Sequence, residues 1–136
     1  MSTTNKTTPH DHETTLADIK RWVKEFSVAR DWERFHFPKE LAAALAIEAA
    51  EVMELGRFKS HDEVAEALRD PEHRRAWGHE LADCLWALIR LADVCEIDLA
   101  SALDDKLKLA DLKYPVEQSR GRNDKYTAYR VEEGEA

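Results

Sequence analysis

Apolar residues in this chain recur at three- and four-residue spacing, and no run of strand length alternates apolar with polar. That period commits the chain to helices. Leu16, Ile19, Val23 and Phe26 mark a first helix, reaching to about Arg30. Leu41, Leu45, Val52 and Leu55 mark a second. Trp77, Cys84, Ala87, Leu91 and Val94 mark a third, and Leu99, Ala102, Leu103 and Leu107 a fourth. The four glycines and four prolines punctuate helices rather than hairpins.

The helix ends are written in the residues between these runs. Thr15 reads as an N-cap, with Asp18 as the first-turn acid. Pro38 suits the first turn of the second helix, and Gly56 reads as its stop. Ser60-His61-Asp62-Glu63 has the pattern of a capping box and opens a short helix through Leu68. Asp70 and Pro71 start the third long helix, which continues to about Cys95. Asp98 caps the fourth, which ends before Tyr114-Pro115. The predicted fold is an all-α helical bundle of four main helices plus one short helix. Residues 1–13 read as a disordered polar tail, 14–115 as one helical domain and 116–136 as a polar loop or tail. With 136 residues the chain can bury one proper core.

Charge narrows the partners. The net charge is −8, which argues against gripping a nucleic-acid polymer, since that needs a basic stripe. The two cysteines, Cys84 and Cys95, lie in one helical stretch, where a bridge between them is geometrically implausible. That fits a reducing compartment. No apolar run is long enough to span a bilayer, and the N-terminus lacks a signal-peptide core. The expectation is a cytoplasmic protein with no membrane partner.

Against this background the stretch "IEAAEVMEL" at 47–55 stands out, because its acids interrupt an apolar run. With about 100° per residue, Leu41, Leu45, Val52 and Leu55 fall within roughly 60° of Glu48. Glu48 is therefore at the centre of the apolar stripe. Glu51 sits roughly 60° to one side and Glu54 roughly 120° round. The third long helix repeats the arrangement: Glu80 is central among Trp77, Cys84, Ala87, Leu91 and Val94, with Asp83 roughly 60° to one side. Four buried carboxylates need basic partners or cations. Neither stripe places a base beside its acids, since Arg74, Arg75 and Arg90 point elsewhere on the wheel. All-oxygen donors select a hard cation, Mg²⁺ or Mn²⁺. For a single Glu-x-x-Glu a solvated surface is the usual explanation; two acid pairs centred on two apolar stripes argue against it.

The motifs "RDWERFH" at 30–36, "EAAEVMEL" at 48–55, "ELAD" at 80–83, "KYP" at 113–115 and "KYT" at 125–127 occur in one order. As a set they resemble the MazG-like all-α nucleotide pyrophosphohydrolases, and within them the dCTP pyrophosphatase branch. The resemblance covers about Thr15 to Tyr129. It implies a helical bundle assembled as a homodimer or homotetramer. It also implies Mg²⁺-dependent hydrolysis of a (deoxy)nucleoside triphosphate, with dCTP or a modified dCTP expected, to the monophosphate and pyrophosphate. On that resemblance Glu48, Glu51, Glu80 and Asp83 match metal ligands. Trp32 and His36 match residues of the base pocket. Phe58 stands where a second pocket tryptophan is expected. Ala87 stands where an aromatic is expected, with Trp86 next to it. Lys106, Tyr114, Lys125 and Tyr126 match a group that holds phosphates or closes over them, within a segment at 120–127. Ala110 and Val23 replace an expected Asn and His. These departures fall outside the four acids.

The chemistry expected is attack by an activated water at the α-phosphorus, with Glu51 or Glu54 assisting the water. Without the resemblance, Lys106 and Lys125 read as solvated lysines, Trp32 as a core aromatic and His36 as a neutral hydrogen-bonding residue. Two other classes compete. A di-iron carboxylate protein wants Glu-x-x-His pairs in a bundle, and the one instance, Glu33 to His36, lies in a connection. A non-catalytic helical interaction module would need the four acids salt-bridged or solvated.

Overall fold

Each N-cap read from the sequence is occupied. The side chains of Thr15, Ser60, Asp70 and Asp98 accept from the backbone N–H groups of Asp18, Glu63, His73 and Ser101. At Thr15 and Ser60 the third helical residue returns the bond, completing a capping box. The computed structural model describes residues 8–129. The expected disorder at the start of the tail lies partly outside the described residues.

The described chain is all-helical and divides into two compact units between Glu96 and Ile97. The first unit contains α1 (Leu16–Val28), a 3₁₀ turn (Glu33–Phe35), α2 (Pro38–Gly56), α3 (His61–Ala67) and α4 (Pro71–Val94). The second contains α5 (Leu99–Lys113), the single turn α6 (Val116–Ser119) and a 3₁₀ turn (Tyr126–Ala128). No described helix is long and apolar enough to cross a membrane.

In the first unit α4 is the common element. It packs principally on α2 and also along α1. Leu41 of α2 and Ala87 of α4 are buried, as the two stripes predict. Ile89 and Ala92 are buried too, although they lie on the other side of α4 from Glu80. A helix with neighbours on more than one side buries more than one stripe. Ser27 of α1 is fully buried; its hydroxyl donates to the Val23 carbonyl at 2.8 Å, so no polar group is stranded.

Three local readings differ from the structure. Gly56 is the last residue of α2 rather than its stop. The chain turns two residues later at Phe58, which has φ of +62°. The connection before Pro38 holds a 3₁₀ turn, closed by the N–H of His36 on the Glu33 carbonyl. The segment after Pro115 is not all loop: Ser119 Oγ donates to the Pro115 carbonyl at 2.8 Å and ties down a helical turn.

Candidate active site

The acids of α2 and α4 meet in the first unit. Glu48, Glu80 and Asp83 each present a carboxylate oxygen, and these oxygens lie within 4.8 Å of one another. Glu48 and Glu80 are half-buried and Asp83 is exposed. Glu51 is exposed, yet its carboxyl lies within hydrogen-bonding reach of Glu80. The placement follows from helical period: residues three apart on each helix flank the line along which α2 and α4 pack.

The electrostatics are those of crowded like charges. Burial pushes the Glu48 carboxyl above its ordinary range, and the charges of Glu51 and Asp83 push it further. Burial likewise raises Glu80, followed by its hydrogen bond with Glu51 and by the charges of Glu51, Asp83 and Glu48. One oxygen, Glu80 Oε2, is buried without a hydrogen-bond partner. Buried carboxylate oxygens normally find one. An orphaned oxygen among converging carboxylates fits a hard divalent cation, whose preferred donors are oxygens. The acidic cluster can therefore hold a metal ion; none of the described ion pairs brings a base to Glu48, Glu51, Glu80 or Asp83.

Glu54 is placed differently. It is exposed and paired with Arg57 at 3.3 Å, one turn along the helix. Phe58, next to that pair, is 92% exposed, with the Arg57 guanidinium 4.6 Å from its ring centroid. Trp32 stands edge-on to Phe26 at 5.8 Å between centroids and remains 42% exposed. His36 and Trp86 come together, edge to face at 5.4 Å.

A feature that motif reading missed surrounds His36. Arg90 of α4 is 4% exposed. Its Nε donates to His36 Nδ1 at 3.0 Å, one terminal nitrogen donates to Glu33 at 3.0 Å, and the other pairs with Asp93. The Glu33-x-x-His36 pair is thus engaged by a guanidinium rather than offered to a metal. Burial pulls the His36 pKa below the ordinary imidazole value, and the Arg90 charge adds to this, against an opposing pull from Glu33. The helical wheel put Arg90 roughly 80° from Glu80, off the acid stripe. The available signal was Asp93, an acid three residues on, which marks Arg90 as partnered on its own helix.

The remaining candidates lie in the second unit. Tyr114 stands edge-on to Tyr126 at 5.9 Å and to Tyr129 at 6.2 Å. The Lys113 ammonium sits 5.4 Å from the Tyr126 ring centroid. Lys125 immediately precedes the last 3₁₀ turn, and Lys106 is an exposed residue of α5. Cys84 and Cys95 are both free thiols.

No protein-family model matches the chain. Known proteins do. dCTP pyrophosphatase 1 of Mus musculus is 43% identical over 115 residues, covering 85% of this chain and 68% of that protein. dCTP pyrophosphatase 1 of Homo sapiens is 39% identical over the same shares of the two chains. The crystal structure of a pyrophosphatase from Archaeoglobus fulgidus is 33% identical and superposes with a TM-score of 0.70, covering 79% of this chain and 99% of that one.

Proposed function

Because the chain belongs to the dCTP pyrophosphatase family and is a nucleoside triphosphate pyrophosphohydrolase, we propose that it hydrolyses dCTP or a base-modified dCTP to the monophosphate and pyrophosphate. The observation that carries the metal-dependent form of this reading is the convergence of carboxylates around the orphaned Glu80 oxygen. In the proposal, Glu48, Glu51, Glu80 and Asp83 hold Mg²⁺, with Mn²⁺ as the alternative hard ion. When bound, such an ion screens the phosphate oxygens and makes water a better proton donor.

The chain's own residues then have distinct tasks. Glu48 and Glu80 repel each other and their neighbours, so a cation at the cluster relieves a strain that protonation would otherwise relieve. Of the two candidates for taking the proton of the attacking water, Glu51 is favoured. It reaches the Glu80 carboxyl, whereas Glu54 is committed to Arg57. Trp32, His36, Phe58 and Trp86 line the base pocket in this reading, and Lys106, Tyr114, Lys125 and Tyr126 serve the phosphates.

The assembly proposed is a homodimer or homotetramer. Leu81, Leu85 and Leu88 form an exposed stripe on α4, and Trp22 and Phe26 lie exposed on α1. A groove of about 450 Å³ adjoins this surface, lined by Leu16, Ile19, Trp22 and Leu85 together with Pro9, His10, Asp11 and Thr14.

Incubation with Mg²⁺ and a panel of canonical and modified deoxynucleoside triphosphates tests the reading. The expected products are one monophosphate and one pyrophosphate per turnover, fastest for a cytosine nucleotide. Release of orthophosphate, or a preference for purine nucleotides, would overturn it.

A further inference from the structure

We propose that Arg90 is a positioning residue that fixes the tautomer of His36, so that the ring offers a bound base a hydrogen-bond donor at Nε2 and never an acceptor. The inference rests on the reading that His36 lines the base pocket.

Arginine carries donors only and stays charged. Arg90 Nε points at His36 Nδ1 at 3.0 Å, so that nitrogen must present its lone pair. A neutral imidazole with a lone pair at Nδ1 carries its proton at Nε2. Protonating Nδ1 would set two donors against each other. Arg90 cannot swing away, because its side chain is 4% exposed and is held at its other nitrogens by Glu33 and Asp93. The anchors come from two elements, the 3₁₀ turn and α4, so the ring is gripped across the packing seam of the first unit. Trp86 fixes the ring plane edge to face at 5.4 Å. The groups charged around the ring are Glu33, Arg90 and Asp93, and the ring is held below its ordinary pKa by burial and by Arg90.

Nothing among the described residues accepts from His36 Nε2. A fixed donor there selects a ligand atom with a lone pair. On a pyrimidine that is a ring carbonyl oxygen or an unprotonated ring nitrogen, and an exocyclic amine is disfavoured at that point. His36 thereby reads one acceptor on the base, with its sign set from behind by Arg90.

Ring ¹⁵N NMR of the ligand-free protein tests the first half. A spectrum lacking the His36 signals, from His36→Gln, assigns the resonances. The expected pattern at neutral pH is an unprotonated Nδ1 and a protonated Nε2. Averaged tautomers, an Nδ1–H form or an imidazolium would overturn the proposal. Arg90→Met, which carries no donor, should release the ring into a tautomer mixture, and Arg90→Lys, which keeps a donor, should restore part of the locked pattern. A locked pattern in well-folded Arg90→Met would show that Arg90 does not set the tautomer. If that variant does not fold, the wild-type spectrum and Arg90→Lys decide the matter.

Kinetics with Mg²⁺ and dCTP test the second half. Arg90→Met should raise KM about tenfold while kcat changes less than about twofold, the signature of lost ground-state recognition. A fall in kcat with KM unchanged would sink the donor role. An unchanged KM in His36→Ala would instead remove His36 from the base pocket. The NMR pattern separates that failure from a failure of the Arg90 contact.

Discussion

At the scale of single residues, the acids are ranked by their surroundings. Glu80 carries the orphaned buried oxygen and is crowded by three other carboxylates, so its charge is disfavoured where no cation or proton is bound. We expect Glu80→Gln to abolish turnover and the thermal shift given by Mg²⁺, while the metal-free protein melts no lower than wild type. A loss of helical circular dichroism in that variant would mean that the carboxylate is structural. Phe58 offers a contrasting test. It is a bulky side chain in left-handed backbone, almost wholly exposed, and its ring meets only the exposed Arg57 guanidinium among the described ring contacts. Strain of this kind costs about 1–2 kcal/mol. Phe58→Gly should therefore keep or raise the melting temperature and still raise KM for dCTP. A destabilised variant with unchanged KM would make Phe58 a structural turn residue. The wheel foretold the central places of Glu48 and Glu80, because those depend only on residues within a turn or two. It could not foretell the left-handed backbone of Phe58, a conformation that a phenylalanine does not announce.

At the scale of elements, the ends of the helices are local chemistry. The two capping boxes, at Thr15 and Ser60, each satisfy donors that the first turn leaves open. Ser60→Ala should cost about 1 kcal/mol, read as a lower midpoint in urea with an unchanged slope. The cap acids add a pH signature. Asp18, Glu63 and Asp70 are each held below their ordinary pKa, chiefly by hydrogen bonds from Thr15, Ser60 and His73. A depressed folded pKa means that the unfolded chain binds the proton first as pH falls. The stability these acids lend is thus full above the usual carboxylate range and is lost as pH drops through the lowered values. Glu63→Gln should flatten that acid limb; an unchanged limb would show that the Ser60 box adds nothing there. Helix starts were legible because a cap and its first turn are contiguous. The end of α2 was read to within a residue, at Gly56; what the glycine did not reveal is that the left-handed turn falls two residues later, at Phe58.

For the whole molecule, composition and surface point to association and to metal linkage. The chain is 15.6 kDa with a formal charge of −8, yet Leu81, Leu85, Leu88, Trp22 and Phe26 remain exposed. Light scattering should give a mass of two or four chains; a monomer at micromolar concentration would refute the proposed assembly. A ligand that binds only the folded state raises the melting temperature with its concentration. Mg²⁺ should do so here, and salt at equal ionic strength should not. By itself the sequence determined the helical class, the starts of the helices and the places of Glu48 and Glu80 on the apolar side, whereas Glu51 and Asp83, expected buried beside them, are exposed. Those depend on a 3.6-residue period and on hydrogen bonds within one turn, so neighbours in the chain suffice. Only the tertiary structure decided that the acids of α2 and α4 converge, that α4 is buried on several sides, and that Arg90 is drawn against His36 and Glu33. Those outcomes turn on which helix lies against which, and the partners concerned are separated by tens of residues along the chain.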